Sequence, residues 1–97
     1  MAAFLALLYI DIRLHSVMSL KAKRAIIRPL RDRLGNGFNI SLIEVSEQDS
    51  LQNARFLLVG AAGDSGRASS LSESIVHFVE RNFPQLDVSF ESEIIQV

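Results

Sequence analysis

Residues 4–14 read FLALLYIDIRL. As far as Tyr9 both alternating positions are apolar; beyond it Ile10, Ile12 and Leu14 alternate with Asp11 and Arg13. A segment apolar on both sides that then takes up a period of two is a strand running from the middle of a sheet out to its end. Ala54 to Ala62 (ARFLLVGAA) has the same two-sided character. Phe38 to Val45 (FNISLIEV) and Asp87 to Val97 (DVSFESEIIQV) alternate instead, with polar residues along one side. Two-sided apolar strands belong at the centre of a sheet and one-sided strands at its edges.

Helical spacing fills the gaps. After a connector at 15–18, Ser19 is a good N-cap for a helix to about Leu34, with Leu20, Ile27, Leu30 and Leu34 seven, three and four apart. Pro29 inside it removes one backbone hydrogen bond and predicts a kink. Gly35-Asn36-Gly37 supplies residues that tolerate positive φ and predicts the stop. Ser46 to Asn53 is polar and too long for a two-residue turn, so it reads as a loop or a short helical turn. Gly63-Asp64-Ser65-Gly66 punctuates the chain. Arg67 to Phe83 then carries Ala68, Leu71, Ile75, Phe78 and Val79 at helical spacing, and Pro84 ends it.

The order β-α-β-β-α-β predicts an α+β, ferredoxin-like two-layer sandwich with a four-stranded antiparallel sheet, as a single domain over residues 1–97. Two helices cover one face only. Leu5, Leu7 and Tyr9 oppose Ala6, Leu8 and Ile10, and Leu57 and Val59 oppose Phe56 and Leu58, so the second face is apolar too. An exposed apolar patch of that size marks an interface, and a homodimer through the sheet or through extended loops is expected.

The 97 residues are 48% hydrophobic and 22% charged, with no Cys, no Trp and a formal net charge of −1. A chain of this length buries roughly two-thirds of the surface it exposes when unfolded, enough for a core without disulfides or structural metal. The lack of cysteine excludes a disulfide scaffold, a thiolate zinc site and a Cys nucleophile, and accords with a reducing cytoplasm. Ala2 to Ile10 has no Lys or Arg before it and no small-residue cleavage site after it, and is too short to span a bilayer; no membrane association is expected.

The charge is unevenly placed. Seven of the ten basic residues lie between 13 and 33 against one acid, Asp32, a local balance of +6 that leaves −7 for the rest of the chain. Lys21, Arg24, Arg28 and Arg31 recur at three, four and three along the first helix and form one stripe beside its apolar side. Like charges on one helix face repel, and cations near the helix start oppose its dipole. Arg13, Lys21, Lys23, Arg24, Arg28 and Arg31 are therefore the candidate contacts to RNA phosphates, a salt-sensitive and sequence-independent mode of attachment. The competing account leaves the stripe solvated, or paired with Glu44, Asp49, Glu91 or Glu93.

Met18 to Arg24 (MSLKAKR), then RDRL, FNISLIEV and the loop QDSLQNA, resembles the small bacterial YlxP-like family of uncharacterised proteins over nearly the whole chain. The resemblance places the family's basic signature on Ser19, Leu20, Lys21, Lys23 and Arg24. Its strand falls on Phe38, Asn39, Ser41, Glu44 and Val45, and its loop on Gln48, Asp49 and Ala54. Leu51 stands where the family commonly has Trp, and Met18 precedes Ser19 directly where the family has Gly or Pro and His. The family's usual gene surroundings, translation and ribosome maturation, imply ribosomal RNA or a ribosomal particle as partner; the resemblance implies no reaction.

Other chemistry finds little support. GAAGDSG at 60–66 lacks the Lys-Ser/Thr of a P-loop and the spacing of a dinucleotide fingerprint, and reads as turn glycines. Nothing matches the Arg-bearing loop and Asn motif of acylphosphatases, which share the topology. Tyr9 and Phe56 occupy the strands on which RNA-recognition motifs carry stacking aromatics, but their neighbours are aliphatic. His15 and His77 lack partners at ligand spacing and read as structural, as does Asp49 as a turn cap. The expectation is a non-enzymatic, cytoplasmic RNA- or ribosome-associated protein without cofactor. A dimeric small-ligand module of the ACT type comes second, with its ligand near Gly60–Gly66, and a hydrolase of phosphorylated small molecules third.

Overall fold

The computed structural model describes residues 2–45 and 50–97. Its elements are β1 (Phe4–Arg13), α1 (Leu20–Gly37), β2 (Ser41–Glu44), β3 (Asn53–Ala62), α2 (Ser65–Asn82) and β4 (Asp87–Gln96). The sheet order is β2-β3-β1-β4 with every pairing antiparallel, and both two-sided apolar strands lie in the middle. This is the ferredoxin-like fold.

Register follows the pleat. Leu8 faces Leu58, and Ile10 sits between Phe56 and Phe90. Even-numbered residues of β1 and β3 point toward the helices, where Leu8, Ile10, Ile12, Phe56 and Leu58 are fully enclosed by Ile27, Leu30 and Leu34 of α1 and Ile75 and Val79 of α2. Gly60 belongs to this layer because a Cβ there would run into Leu71 Cδ2 and press on Ile40 Cγ2. The odd-numbered residues Leu5, Leu7, Tyr9, Leu57 and Val59 face away from the helices and are only half-buried.

Three details differ from the sequence reading. The helix α1 does not stop at Leu34 on left-handed glycines. It continues through Gly35 and Gly37, and no glycine has positive φ. The chain leaves the helix at Phe38, which turns extended and sets its ring edge-on against Phe78 at 5.5 Å, so aromatic docking ends the helix. The one positive φ among the described residues is at Ser16 (58°), in the β1–α1 connector. Strand β2 is four residues long, not eight. Phe38 and Ile40 pack against the core before strand pairing begins. Finally, α2 starts at Ser65, capped by Asp64, whose carboxylate accepts from the Arg67 amide at 2.7 Å.

Candidate nucleic-acid interface

Helix α1 starts at Ser19, whose Oγ accepts from the Ala22 amide at 3.1 Å. No acidic residue follows in the first turn to offset the positive helix end. Lys21, Arg24, Arg28 and Arg31 are all exposed along this helix, as the three-four-three spacing requires. Among the described residues Lys21, Arg24 and Arg28 have no carboxylate within ion-pair distance; Arg31 reaches its neighbour Asp32 at 3.7 Å, both groups well hydrated. Between α1 and the edge strand β2 runs a groove of about 270 Å³, lined by Leu20, Lys23, Arg24, Ile27, Arg31 and Glu44.

One candidate contact is corrected. Lys23 is only 3% exposed, and its Nζ donates to the carbonyl of Ser50. Its position explains this: Lys23 precedes Ile27, Leu30 and Leu34 by four, seven and eleven residues, so it sits on the buried stripe itself, its methylenes packed and its ammonium turned to the β2–β3 connection. Leu20, expected on that stripe, is 42% exposed instead. Arg13 is exposed at the end of β1, off the helix that carries the stripe: it lines one cavity with Ala25, Ile26 and Pro29 of α1 and a second with Asp11 and Arg55, Asp87 joining it in both. Arg33 lies over the Phe78 and Phe83 rings at 5.0 and 5.4 Å and donates to Asn82 Oδ1 at 3.2 Å, which makes it a packing residue.

The remaining candidates fall into place around these. Asp64 fills the start of α2, so its carboxylate occupies the position a phosphate would take in a GAAGDSG cradle. Phe56 is sealed beneath the helices. Tyr9 lies on the open face under the Arg55 guanidinium, 4.0 Å from its ring centroid. Arg55 also reaches Asp11 at 3.3 Å and Glu91 at 3.1 Å, so Glu91 is engaged away from α1. His15 meets Asp87 at 3.0 Å across 72 residues of sequence; only the register of β1 against β4 brings them together, and no spacing rule announces it. Leu51 is half-buried and lies outside the core cluster, while Gln52 donates to the Val17 carbonyl at 2.7 Å and ties the loop to the α1 connector. The loop candidates Gln48 and Asp49 lie outside the described residues.

Comparison with known proteins adds the following. The family described as "Protein of unknown function (DUF503)" matches residues 5–91. The uncharacterised protein YlxP of Bacillus subtilis (strain 168) is 28% identical over 69 residues, 71% of this chain and 74% of that protein. A de novo designed protein, Foldit4, superposes with a TM-score of 0.53 at 10% identity, covering 94% of this chain and 96% of the design. A dimeric ferredoxin-like protein from an uncultured marine organism gives a TM-score of 0.48 at 16% identity, covering 98% and 94%. These solved structures are similar in fold alone. Among the described residues no helix is long and apolar enough to cross a membrane.

Proposed function

Since the chain belongs to the DUF503 family, to which no activity is assigned, its function must be read from its own surface, and we propose a non-enzymatic protein that attaches to ribosomal RNA or a ribosomal particle through α1. The observation that carries this is the row Lys21, Arg24, Arg28 and Arg31, exposed on one helix, three of them without a carboxylate partner among the described residues. Holding cations beside one another on a helix face, the first of them at its positive end and three without a carboxylate partner among the described residues, is unfavourable by a few tenths of a kcal/mol per pair. Polyanion binding turns that arrangement into affinity, because each phosphate contact releases a condensed counterion. Of the acids the partnered-charge account invokes, Glu91 is taken by Arg55, Glu93 is on the sheet face turned away from the helices, and Glu44 shares the groove with Arg24 and Arg31 without coming within ion-pair distance of either; Asp49 lies outside the described residues. The protein is a homodimer in this proposal, each copy carrying its own α1 site.

Salt-titrated binding to a structured ribosomal RNA fragment tests the proposal, with thermal melts of the same proteins. Replacing Arg24 or Arg28 by Glu should weaken binding at every sequence tried and lower the slope of log affinity against log salt by about 0.7–0.9 per contact. Melting temperatures should change little, since an exposed charge contributes within about 0.5 kcal/mol of stability. An unchanged salt slope would remove nucleic acid as the partner of this helix.

A further inference from the structure

The two helices leave the opposite face of the sheet uncovered. Leu5, Leu7, Leu57 and Val59 lie half-buried across its two central strands, and Ile43 beside them on β2 is 55% exposed. We propose that this face is the interface between two copies of the chain, packed sheet against sheet around a two-fold axis that runs through the apolar block. The proposal deepens the functional reading by naming the dimer surface. It rests on that reading only in calling the protein a dimer, because none of its residues belongs to α1.

Size is the first support. Strands of ten residues at ~3.3 Å each, four of them ~4.8 Å apart with β2 short, offer roughly 500–600 Å² per copy, so a pair buries about 1,000–1,200 Å². That is the lower end of specific interfaces and fits a reversible dimer. Aligned sheets stack about 10 Å apart with strands within about 30° of each other, which lets the aliphatic block of one copy meet the same block of the next.

Charge narrows the occupant. The face carries Arg13 and Arg55 against Asp11, Asp87, Glu91 and Glu93, a balance of −2 that disfavours RNA phosphates and anionic lipid; a second copy brings the same −2, but Asp11 and Glu91 are already paired with Arg55, and Asp87 and Glu93 lie on the edge strand β4. The central cation is already prepared for covering. Arg55 lies flat on Tyr9 between Asp11 and Glu91, and its Nε is shielded from solvent within a single copy. Glu91 and Glu93 sit on the edge strand β4, at the rim of a stacked pair, where they stay hydrated. A second copy presents the same apolar centre and the same wet rim.

Sedimentation equilibrium of the full chain without RNA tests the inference. The wild type should show a monomer–dimer equilibrium with a dissociation constant in the micromolar range. Leu7→Glu should weaken it about 100-fold and Ile43→Asp about tenfold. Ile43 is exposed in the single copy, so its variant keeps its fold, and an unshifted melt at low concentration verifies that. Arg28→Glu should leave the dimer untouched. A wild-type dimer that binds no RNA, or whose salt slope is unchanged in Arg28→Glu, therefore overturns the functional reading alone, and a wild type that stays monomeric yet binds RNA overturns this inference alone. A wild type that stays monomeric at several hundred micromolar, a dimer indifferent to both substitutions, or RNA quenching of emission from Tyr9, the chain's single Tyr beside no Trp, would each refute the interface.

Discussion

Lys23 occupies the line of α1 that Ile27, Leu30 and Leu34 continue into the core, and its ammonium ends on the Ser50 carbonyl. A charged letter at an apolar position hides the pattern from a reader of sequence, yet its spacing from Ile27 is that of a buried residue. Only the hydropathy of the residue argued otherwise. Replacing Lys23 by Ala removes the packed methylenes and strands the Ser50 acceptor, so unfolding in urea should show a loss of about 1–3 kcal/mol. Arg28→Ala, one turn further along but on the exposed stripe, should stay within about 0.5 kcal/mol of wild type. Equal effects at the two positions would mean that Lys23 is not held as described. The missed pair His15–Asp87 teaches the complementary lesson: its geometry exists only once β1 and β4 are in register, so no local rule finds it.

The elements themselves were written plainly wherever a local signal agreed with the packing. Ser19 was legible as the start of α1 because an N-cap hydroxyl answers a need of the helix alone. Its replacement by Ala should cost about 1 kcal/mol, readable as a lowered melting temperature, with the RNA-binding helix otherwise intact. The end of α1 was not legible, since Gly35 and Gly37 permit a stop without imposing one. The exit is set by the Phe38 ring meeting Phe78, a contact spanning 40 positions of sequence. Strand β2 was overlong in the reading for a similar cause: Phe38 and Ile40 alternate correctly but reach the core before any strand lies beside them.

For the molecule as a whole, the decisive pattern was the contrast between β1 and β3 and their one-sided neighbours, which fixed the strand order and exposed the second face as unfinished. The basic stripe was legible for the same geometric reason, as four exposed positions of one helix, whereas separating Lys23 from it required three-dimensional placement. The helices lie on one side of the sheet and the proposed dimer joins the other, so a stacked pair carries its two α1 stripes on opposite outer surfaces. Such an assembly has no cleft between its binding sites; it is a two-headed linker. A short RNA can engage one head only and gains nothing from the second, whereas a long RNA or two particles can be tied together through both. Light scattering should accordingly rise when long RNA is mixed with the wild type near equal stoichiometry and fall again in protein excess, while Leu7→Glu, holding one head per molecule, should bind the same RNA and scatter no more than the free components.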